Sequence, residues 1–366
     1  MTDAGQPVRL GLIGCGRATL VLHVPALRNV PAIQVVAVAD PDEGRRREAA
    51  GRLGAVRQYS TADALLASGD IDAVGVITPT ASHADLGVQV LESGRHLLVE
   101  KPLALDLEGC ARLAAAQAAA ARCALVGHNG RWHRLVRDAR AFIRGGRLGP
   151  IKAVLSVYTH WHPDASSQPW HRRRADGGGV LFNDGVHHFD LWRYLLDAEI
   201  ADVSARSRRS ATYDDDTCVV EATLSNGVLA SAVLSFTTAP ASTIDVFGEA
   251  GRLSVSMYRF DGLRFLPSTA YEGSLAWRAG SLARSLAALP RALAARGGGS
   301  EFERSYAAMW AHLAACAAGR ATPECTLGDG RAAVEVARAA IASADLGRPV
   351  AIEPAPGAQP AAWGAG

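Results

Sequence analysis

The sequence lacks a strong net charge, a C-x-x-C pair and a long apolar run. Its 38 basic and 36 acidic residues leave a formal net charge of +2, which gives no electrostatic reason to expect nucleic acid or an anionic membrane as a partner. The six cysteines lie far apart and no secretory leader precedes them, so neither a disulfide framework nor a zinc ribbon is indicated. We therefore expect a reduced, cytoplasmic protein with a small-molecule ligand.

The longest uncharged stretch, residues 222–244, does not have the composition of a membrane-spanning helix. It is rich in Ser and Thr, whereas a spanning helix needs roughly 20 mostly apolar residues. It also contains an Asn226-Gly227 pair between two alternating runs, which is a hairpin signal. The stretch is expected to form two strands of a sheet.

Two kinds of pattern divide the 366 residues, of which 49% are hydrophobic and 20% charged, as in ordinary globular proteins. Up to residue 126, short β-branched runs alternate with segments of helical period, which predicts a parallel sheet covered by helices. The predicted strands are 8–13, 35–39, 56–59, 73–77, 96–99 and 124–126, then 151–158, 201–207, 218–224, 228–236, 244–248 and 252–256. Helices are predicted at 134–144, 183–195, 303–318 and 328–344.

The predicted fold class is α/β. Residues 1–127 are expected to form a doubly wound parallel sheet, and residues 128–352 an α+β domain on an open, mostly antiparallel sheet. Within the second domain, residues 274–300 are expected to be a mobile helical insertion. The Pro/Ala/Gly-rich residues 353–366 are expected to be a disordered tail.

A glycine-rich turn, G-L-I-G-C-G-R-A-T at residues 11–19, follows the first predicted strand and opens a helix. Gly14 permits a tight turn, and Gly16 allows the backbone to approach a pyrophosphate at the helix N-terminus. Asp40 ends the second strand, where a carboxylate accepts hydrogen bonds from both ribose hydroxyls and repels a 2′-phosphate. The pattern predicts NAD, with NADP less favoured, although arginines at 45–47 could reach a phosphate.

Polar or conformationally special residues follow the carboxyl ends of successive predicted strands. They are Gly14, Asp40, Thr78-Pro79, Glu100-Lys101-Pro102 and 127–129. In open α/β sheets this edge binds ligands. Lys101 is the most informative of them, because an ammonium between an apolar strand and a proline has few structural reasons to be there. The alternative is a surface lysine paired with Glu100.

Histidines are unevenly distributed, since seven of the 11 lie between residues 128 and 188. Together with three tryptophans of the same region, they are expected to line a polar and aromatic pocket. The candidate lining residues are Arg131, Tyr158, His160, Trp161, His162, Trp170, His171 and Arg172. His160 and His162 share a strand face, but there is no H-E-x-x-H sequence and no acidic residue at ligand spacing, so no metal is expected.

A glycine turn leads into the helix predicted at 183–195. Asn183, His187 and Asp190 have the i, i+4, i+7 spacing of one helical face. Asp184 and His188 lie together on a neighbouring face. The alternative is a capped helix that starts at Asn183 and holds a satisfied histidine, but this does not account for the glycines or for the His- and Trp-rich residues before them.

Taken together, these motifs resemble those of the Gfo/Idh/MocA family, the glucose-fructose oxidoreductase and inositol dehydrogenase type. The matching features, in family order, are the turn at 14–19, V-A-D-P at 38–41, Thr78-Pro79 with His83, Glu100-Lys101-Pro102, residues 127–131, the G-G-x-x-x-x-x-G-x-H-x-x-D segment within 177–190, and L-G-D-G-R at 327–331. The resemblance implies an N-terminal Rossmann domain, a nicotinamide cofactor, and a C-terminal sheet that forms a homo-dimer or homo-tetramer interface. Typical members oxidise a secondary hydroxyl of a sugar, cyclitol or nucleotide sugar, or run the reverse.

The resemblance also implies roles for single residues. Lys101 corresponds to the family lysine that contacts the reacting hydroxyl, and His187 to the histidine that serves as acid and base, with Asn183 at the third catalytic position. The implied cofactor-binding residues are Gly14, Gly16, Arg17, Ala18, Asp40, Thr78, Pro79, His83, Glu100 and Lys101. The implied substrate-binding residues are Asn129, Arg131, Tyr158, Trp170, Asp184 and His188.

Two positions depart from the family pattern. Thr19 replaces the small third residue of the dinucleotide fingerprint. Asn183 stands where many dehydrogenases of the family have Asp, which leaves the Lys-Asp-His triad without its carboxylate, as in some nucleotide-sugar branches.

Three functions are compatible with these residues. The leading hypothesis is an NAD-dependent sugar or cyclitol dehydrogenase. A second is a glycosidase that retains its NAD and uses transient oxidation, and a third is a non-catalytic regulator that senses a sugar or NAD. The presence of both Lys101 and His187 argues against the sensor.

Overall fold

The computed structural model describes residues 6–54, 56–161, 168–259, 261–295 and 300–353. Contacts group the chain into two compact units. The first contains Met1–Trp132, Ala175–Gly177 and Glu303–Val334, and the second contains His133–Arg174, Gly178–Phe302 and Glu335–Gly366. The domain boundary at 127–128 stays a prediction, and the grouping by contacts also places residues 303–334 with the first part of the chain.

The first unit is built on a six-stranded parallel sheet with the order β3-β2-β1-β4-β5-β6. The strands are β1 (Val8–Ile13), β2 (Ile33–Ala39), β3 (Arg57–Tyr59), β4 (Ala73–Val76), β5 (His96–Val99) and β6 (Ala124–Val126). All residues of β4 and β6 are buried, as expected for strands covered on both faces. The predicted Rossmann sheet is confirmed, and its strand order reverses between β1 and β4, where such sheets bind ligands.

Helices alternate with these strands in the first unit, and further helices precede and follow the run of strands in the second sheet. They are α1 (Val24–Leu27), α2 (Glu43–Arg52), α3 (Ala62–Leu66), α4 (His83–Glu92), α5 (Leu107–Ala120), α6 (Arg134–Arg144), α7 (Val180–Asn183), α8 (Gly185–Leu196), α9 (Leu275–Ala295), α10 (Glu301–Ala317) and α11 (Leu327–Leu346). The side chains of Asp42, Thr61 and Asp106 each accept a hydrogen bond from the backbone amide three residues on. These N-caps fix where α2, α3 and α5 begin.

A tryptophan of α10 completes the core of the first unit. Trp310 is fully buried, and a Cβ added to Gly75 of β4 would lie 2.6 Å from its Cη2 atom. The indole ring therefore packs where the strand has no side chain. This close contact is one reason why Glu303–Val334, which holds most of α10 and the start of α11, belongs to the first unit.

The second unit is built on an eight-stranded sheet with the order β13-β12-β11-β7-β10-β9-β8-β14. The strands are β7 (Ile151–Trp161), β8 (Ile200–Arg208), β9 (Thr217–Leu224), β10 (Leu229–Ser235), β11 (Thr237–Gly248), β12 (Gly251–Ser256), β13 (Leu263–Pro267) and β14 (Val350–Ala351). Only the β7–β10 pair among these neighbours is parallel, so the predicted open, mostly antiparallel sheet is confirmed.

Helix α8 covers one face of this sheet. Its Phe189 and Trp192 are fully buried, and Trp192 Nε1 donates a hydrogen bond of 2.9 Å to Ser156 Oγ of β7. The predicted hairpin at Asn226-Gly227 joins β9 to β10, and Gly227 has a φ of +79° there. The glycine thus supplies the left-handed conformation that this turn requires.

The helix predicted at 183–195 is present as α8, but it begins two residues later than predicted. Helix α7 ends at Asn183 and α8 begins at Gly185, with Asp184 between them. The amide of Asp184 still bonds to the Val180 carbonyl, but its own carbonyl accepts from the amide of His187, three residues on. This tighter turn breaks the helical register, so the i, i+4 relation of Asn183 and His187 is not that of one continuous helix.

The predicted insertion forms α9, whereas residues 296–299 and 354–366 lie outside the described residues. None of the described helices combines the length and the apolar character needed to cross a bilayer.

Candidate active site

The glycine-rich turn has the geometry of a phosphate-binding turn. Gly14 has a φ of +96°, and a Cβ there would lie 2.2 Å from the Ile77 carbonyl oxygen, so the position requires glycine. A Cβ on Gly16 would meet no described atom within 4 Å, which leaves open space beside the turn. Thr19, the residue that departs from the family pattern, closes the turn, because its Oγ1 donates a hydrogen bond of 2.6 Å to the Gly14 carbonyl.

The two residues that follow Gly16 are exposed to solvent. Arg17 and Ala18, both predicted to bind the cofactor, are exposed at the start of the π-helix Thr19–His23. Their backbone amides are at the helix N-terminus, where anions bind. The turn therefore fits a dinucleotide pyrophosphate.

Asp40 is a buried carboxylate fixed by main-chain amides. Its Oδ2 accepts from Cys15 N at 2.8 Å, and its Oδ1 accepts from Asp42 N at 2.9 Å. Each carboxylate oxygen can accept a further hydrogen bond, so both remain suited to ribose hydroxyls. Arg46 donates to the carbonyls of Asp40 and Pro41, which holds its guanidinium on the main chain next to the carboxylate.

The turn after β4 is joined to the turn after β5 by His83. The ring Nδ1 lies 2.7 Å from the Pro102 carbonyl oxygen, and Nε2 lies 2.8 Å from that of Thr78. In the turn after β4, Thr78 is half-buried and Pro79 is exposed. Both ring nitrogens of His83 contact the main chain, and its role in cofactor binding stays a prediction.

Glu100 and Lys101 end β5. Glu100 is buried, its Oε2 accepts from Lys101 N at 3.0 Å, and its Oε1 lies 3.1 Å from His23 Nε2. The side chain of Lys101 is half-buried. The sequence did not single out His23, although it follows the glycine turn closely enough to lie at the same edge of the sheet.

Two predicted substrate-binding residues of the first unit make internal contacts. Asn129 Nδ2 donates to Ser305 Oγ at 2.9 Å, and the buried Arg131 forms a 3.0 Å ion pair with Asp329. Arg131 also donates to the Glu324 carbonyl at 2.8 Å. These contacts tie the segment after β6 to α10 and to the start of α11, and a role in substrate binding stays a prediction.

In the second unit, Asp184 organises the predicted polar cluster. It is only 5% exposed, and its Oδ2 lies 2.7 Å from His160 Nε2 while its Oδ1 accepts from Asn183 Nδ2 at 3.1 Å. The His160 ring packs against Tyr158 and Phe236, with centroids 5.5 and 5.1 Å away. The structure therefore brings together Tyr158, His160, Asn183 and Asp184.

His188 lies in the same cluster but is fully buried. Burial lowers the pKa of its imidazole to about 4, and the nearby Asp184 only partly opposes this effect. Its ring packs against Tyr158 with centroids 5.2 Å apart. His188 is thus a neutral wall residue near pH 7.

Asn183 and His187 differ from their neighbours in exposure. Every other residue from position 180 to 192 is buried, whereas these two are partly exposed. Two polar side chains, four residues apart, thus reach solvent from an otherwise buried segment. This is the arrangement expected of side chains that meet a ligand.

The other predicted pocket residues are more dispersed. Trp170 packs on His171 in the short helix Pro169–Arg172, with ring centroids 3.8 Å apart. Trp161 is exposed at the end of β7, and His162 lies outside the described residues. Among the described residues, no three His, Cys, Asp or Glu side chains are arranged to hold a metal ion.

A buried carboxylate that sequence reasoning missed supports the glycine turn before α7. Asp215 accepts from Leu181 N at 2.9 Å and from Arg174 Nε at 2.8 Å. A Cβ on Gly179 would lie 2.1 Å from Asp215 Oδ1, and Gly179 has a φ of +80°. Asp215 thus fixes the start of the segment that carries Asn183. The Asp run at 214–216 was the available signal in the sequence.

Two family models match the chain. One, described as an oxidoreductase family with an NAD-binding Rossmann fold, covers residues 8–128. The other, described as the GFO/IDH/MocA C-terminal domain, covers residues 136–254.

Two similar proteins are named as dehydrogenases. The 1-carboxy-3-chloro-3,4-dihydroxycyclohexa-1,5-diene dehydrogenase of Comamonas testosteroni is 32% identical over 54% of this chain and 50% of its own length. The scyllo-inositol 2-dehydrogenase (NAD(+)) of Bacillus subtilis is 31% identical over 55% of this chain and 57% of its own. The alignments thus span about half the length of these relatives.

A solved structure extends the likeness to nearly the whole chain. The structure of GenD2 from gentamicin A biosynthesis, in complex with NAD, is 25% identical and has a TM-score of 0.79 over 96% of this chain and 98% of that chain.

Proposed function

The chain belongs to the GFO/IDH/MocA oxidoreductase family, and we propose that it is an NAD-dependent dehydrogenase of a secondary hydroxyl on a sugar, cyclitol or nucleotide sugar. The observation that carries the proposal is the exposure of Asn183 and His187 in a segment that is otherwise buried. His187 matches the family acid and base by position. The names of the two relatives refer to a dihydroxycyclohexadiene and to an inositol. Both compounds carry hydroxyl groups on a ring, which supports the proposed substrate class.

Hydride loss from a carbinol requires that its hydroxyl proton leave as the carbonyl forms. A neutral imidazole at His187 takes that proton, and the ammonium of Lys101 stabilises the developing oxyanion. A bound nicotinamide supplies the hydride acceptor. In the reverse direction His187 returns the proton to the alkoxide.

We propose NAD rather than NADP as that cofactor. The open space beside Gly16 and the helix N-terminus at the exposed residues Arg17 and Ala18 suit a pyrophosphate. The fixed carboxylate of Asp40 suits ribose hydroxyls and disfavours a 2′-phosphate. The GenD2 structure with NAD supports the same choice.

We also propose that the chain forms a homo-oligomer through the sheet of the second unit.

The test is an assay of purified protein with NAD and a panel of cyclitols, sugars and nucleotide sugars. Stoichiometric appearance of reduced nicotinamide with a substrate of the panel is the expected result. Product formation without net reduction would instead support the NAD-retaining glycosidase. Ligand binding without either change would support the sensor and remove the dehydrogenase proposal.

A further inference from the structure

We infer that two buried histidines, His23 and His83, are positioning residues for Lys101 and act on the residues directly before and after it in the chain. His23 contacts the carboxylate of Glu100, and His83 contacts the carbonyl of Pro102. The inference deepens the proposed function, because it rests on the role proposed for Lys101. All five residues belong to the first unit.

The tautomer of His23 follows from its partners. His23 is fully buried, and its Nδ1 accepts from Trp310 Nε1 at 3.2 Å. An indole N–H can only donate, so Nδ1 carries no proton and the ring hydrogen is on Nε2. Nε2 lies 3.1 Å from Oε1 of Glu100. Trp310 therefore selects the form of His23 in which the ring N–H is on the nitrogen nearer to the carboxylate.

The carboxylate of Glu100 is held close to the main chain on its other side. Its Oε2 accepts from Lys101 N at 3.0 Å, and a Cβ on Gly127 would lie 2.8 Å from its Oε1. Burial raises the pKa of Glu100, but the adjacent His23 and the charge of Lys101 outweigh burial and lower it overall. Glu100 is therefore an anion. The titratable side chains that face it are His23, Lys101, His83 and Tyr306.

The second contact fixes the chain after Lys101. His83 is 1% exposed and lies between two carbonyl oxygens, that of Pro102 at 2.7 Å and that of Thr78 at 2.8 Å. Carbonyls only accept, so a neutral ring donates to one of them and an imidazolium to both. In either form, the ring bridges the turn after β4 and the turn after β5.

With the backbone fixed on both sides, the ammonium of Lys101 moves only through its own side-chain torsions. Transition-state stabilisation depends on placement within a fraction of an ångström, and a misplacement of about 1 Å can cost on the order of 10²-fold in rate. Loss of either histidine should therefore lower kcat more than it raises KM for the substrate.

The composition of the chain allows a test that does not use enzyme activity. Lys101 and Lys152 are the two lysines in 366 residues. Reductive ¹³C-methylation of the full-length protein therefore gives two lysine signals besides the α-amino group. Lys152 is 64% exposed and paired with Glu249, so it serves as an internal reference. The methyl shift of Lys101, followed against pH, reports the ionisation of the neighbouring Glu100.

For His23, the test compares the inflection of the Lys101 signal between variants. In His23→Phe the inflection should move upward by about one pH unit or more, because Glu100 loses the polar ring nitrogen that lies 3.1 Å from its Oε1 and favours its anion. His23→Gln keeps a donor and an acceptor and should return the inflection to its wild-type pH. His23→Asn, milder for folding but too short for both contacts, should behave like the Phe variant. An unmoved inflection in both Phe and Asn variants would remove His23 from this role.

Two further variants serve as controls for the titration. Glu100→Gln should abolish the inflection, which assigns it to that carboxyl. His96→Leu removes a histidine at the other end of β5, where its Nδ1 accepts from Cys123 N at 3.2 Å. Its Lys101 titration should match the wild type. An inflection that survives in Glu100→Gln would overturn the inference for His23.

For His83, line width and turnover are measured together. His83→Leu leaves both carbonyls without a ring donor and should broaden or double the Lys101 signal and lower kcat roughly 10-fold. His83→Gln carries an amide donor and should restore both. A sharp, unshifted signal with wild-type kcat in His83→Leu would overturn the role of His83. Signal changes in a protein that oxidises no substrate would retain the positioning role and remove the proposed function.

Discussion

The side-chain amide of Asn183 donates a hydrogen bond of 3.1 Å to Oδ1 of Asp184, whose other carboxylate oxygen lies 2.7 Å from His160. The carboxylate of this cluster thus belongs to the residue directly after Asn183. It contacts His160, while the residue four positions before His187 carries no charge.

The first prediction concerns the pH dependence of catalysis. In Asn183→Asp, a carboxylate near His187 would stabilise the imidazolium and raise the histidine pKa, so the neutral base becomes available only at higher pH. The acid limb of kcat/KM for oxidation should move upward by roughly one pH unit. Asn183→Ser, which adds no charge, is the matched control. An unshifted or lowered limb in the Asp variant would mean that other groups tune His187.

The second prediction concerns cofactor choice. Asp40→Ser removes the negative charge that disfavours a 2′-phosphate, so the preference for NAD over NADP should narrow. Titration of both cofactors into wild type and variant measures the two dissociation constants. Asp42→Ser, two residues on and exposed at the cap of α2, is the control and should leave the ratio unchanged. Wild-type protein that binds NADP as tightly as NAD would contradict the assignment.

The third prediction concerns the two catalytic candidates. Lys101→Met and His187→Ala should each lower turnover by roughly 10²- to 10⁴-fold, the usual contribution of a placed proton-transfer group. Thermal unfolding and NAD binding should remain close to wild type. Lys152→Met, which removes the exposed lysine of the second unit, is the control with unchanged kcat. Near wild-type turnover in either candidate variant would exclude that residue from the chemistry.

The fourth prediction tests the glycine turn before α7. Gly179→Ala places a Cβ 2.1 Å from Asp215 Oδ1 at a positive φ, so the free energy of unfolding should fall by at least about 2 kcal/mol. Gly51→Ala in α2 meets no described atom within 4 Å and should be neutral or stabilise by about 0.5–1 kcal/mol. Chemical denaturation of both variants measures the difference. Equal stability would show that Asp215 moves aside at little cost.

The fifth prediction is a pH dependence of stability that arises from His188. Its pKa of about 4 in the folded protein lies below the roughly 6.5 of an unfolded chain, so the unfolded state binds the proton first as pH falls. The stabilisation is fully present above about pH 6.5 and is lost between there and pH 4, to the extent of at most about 3 kcal/mol. Denaturation from pH 4 to 8 measures it. His188→Phe should flatten the slope, and an unchanged slope would assign it to other groups.

The sequence predicted the sheet of the first unit well, because buried parallel strands are continuous apolar runs that end in recognisable turns. The predicted bounds of β1, β5 and β6 match the structure. Strand β13 was missed, since all five of its residues are half-buried and show no alternation of buried and exposed positions. Strand β14, of only two residues, leaves no periodic signal at all.

The limits of the sequence are clearest in the candidate site. Periodicity indicated one helix through Asn183 and His187, because a break of one residue at Asp184 leaves the apolar pattern almost intact. Which carboxylate contacts which histidine depends on β7, far away in the chain, and no local pattern contains that pairing. The same applies to Asp215, whose function is defined by its contact with the Gly179 turn.

The contact of Trp310 with Gly75 has a consequence for biosynthesis. Strands β1–β6 leave the ribosome long before Trp310 is made, and β7–β13 of the second unit emerge in between. The first unit therefore cannot complete its folding in the order of synthesis, although domains generally fold N-terminal first. Its nascent chain carries an uncovered apolar surface around Gly75 for most of translation. A fragment that stops at Trp132 would keep that surface permanently, and we expect it to aggregate or to be bound by chaperones.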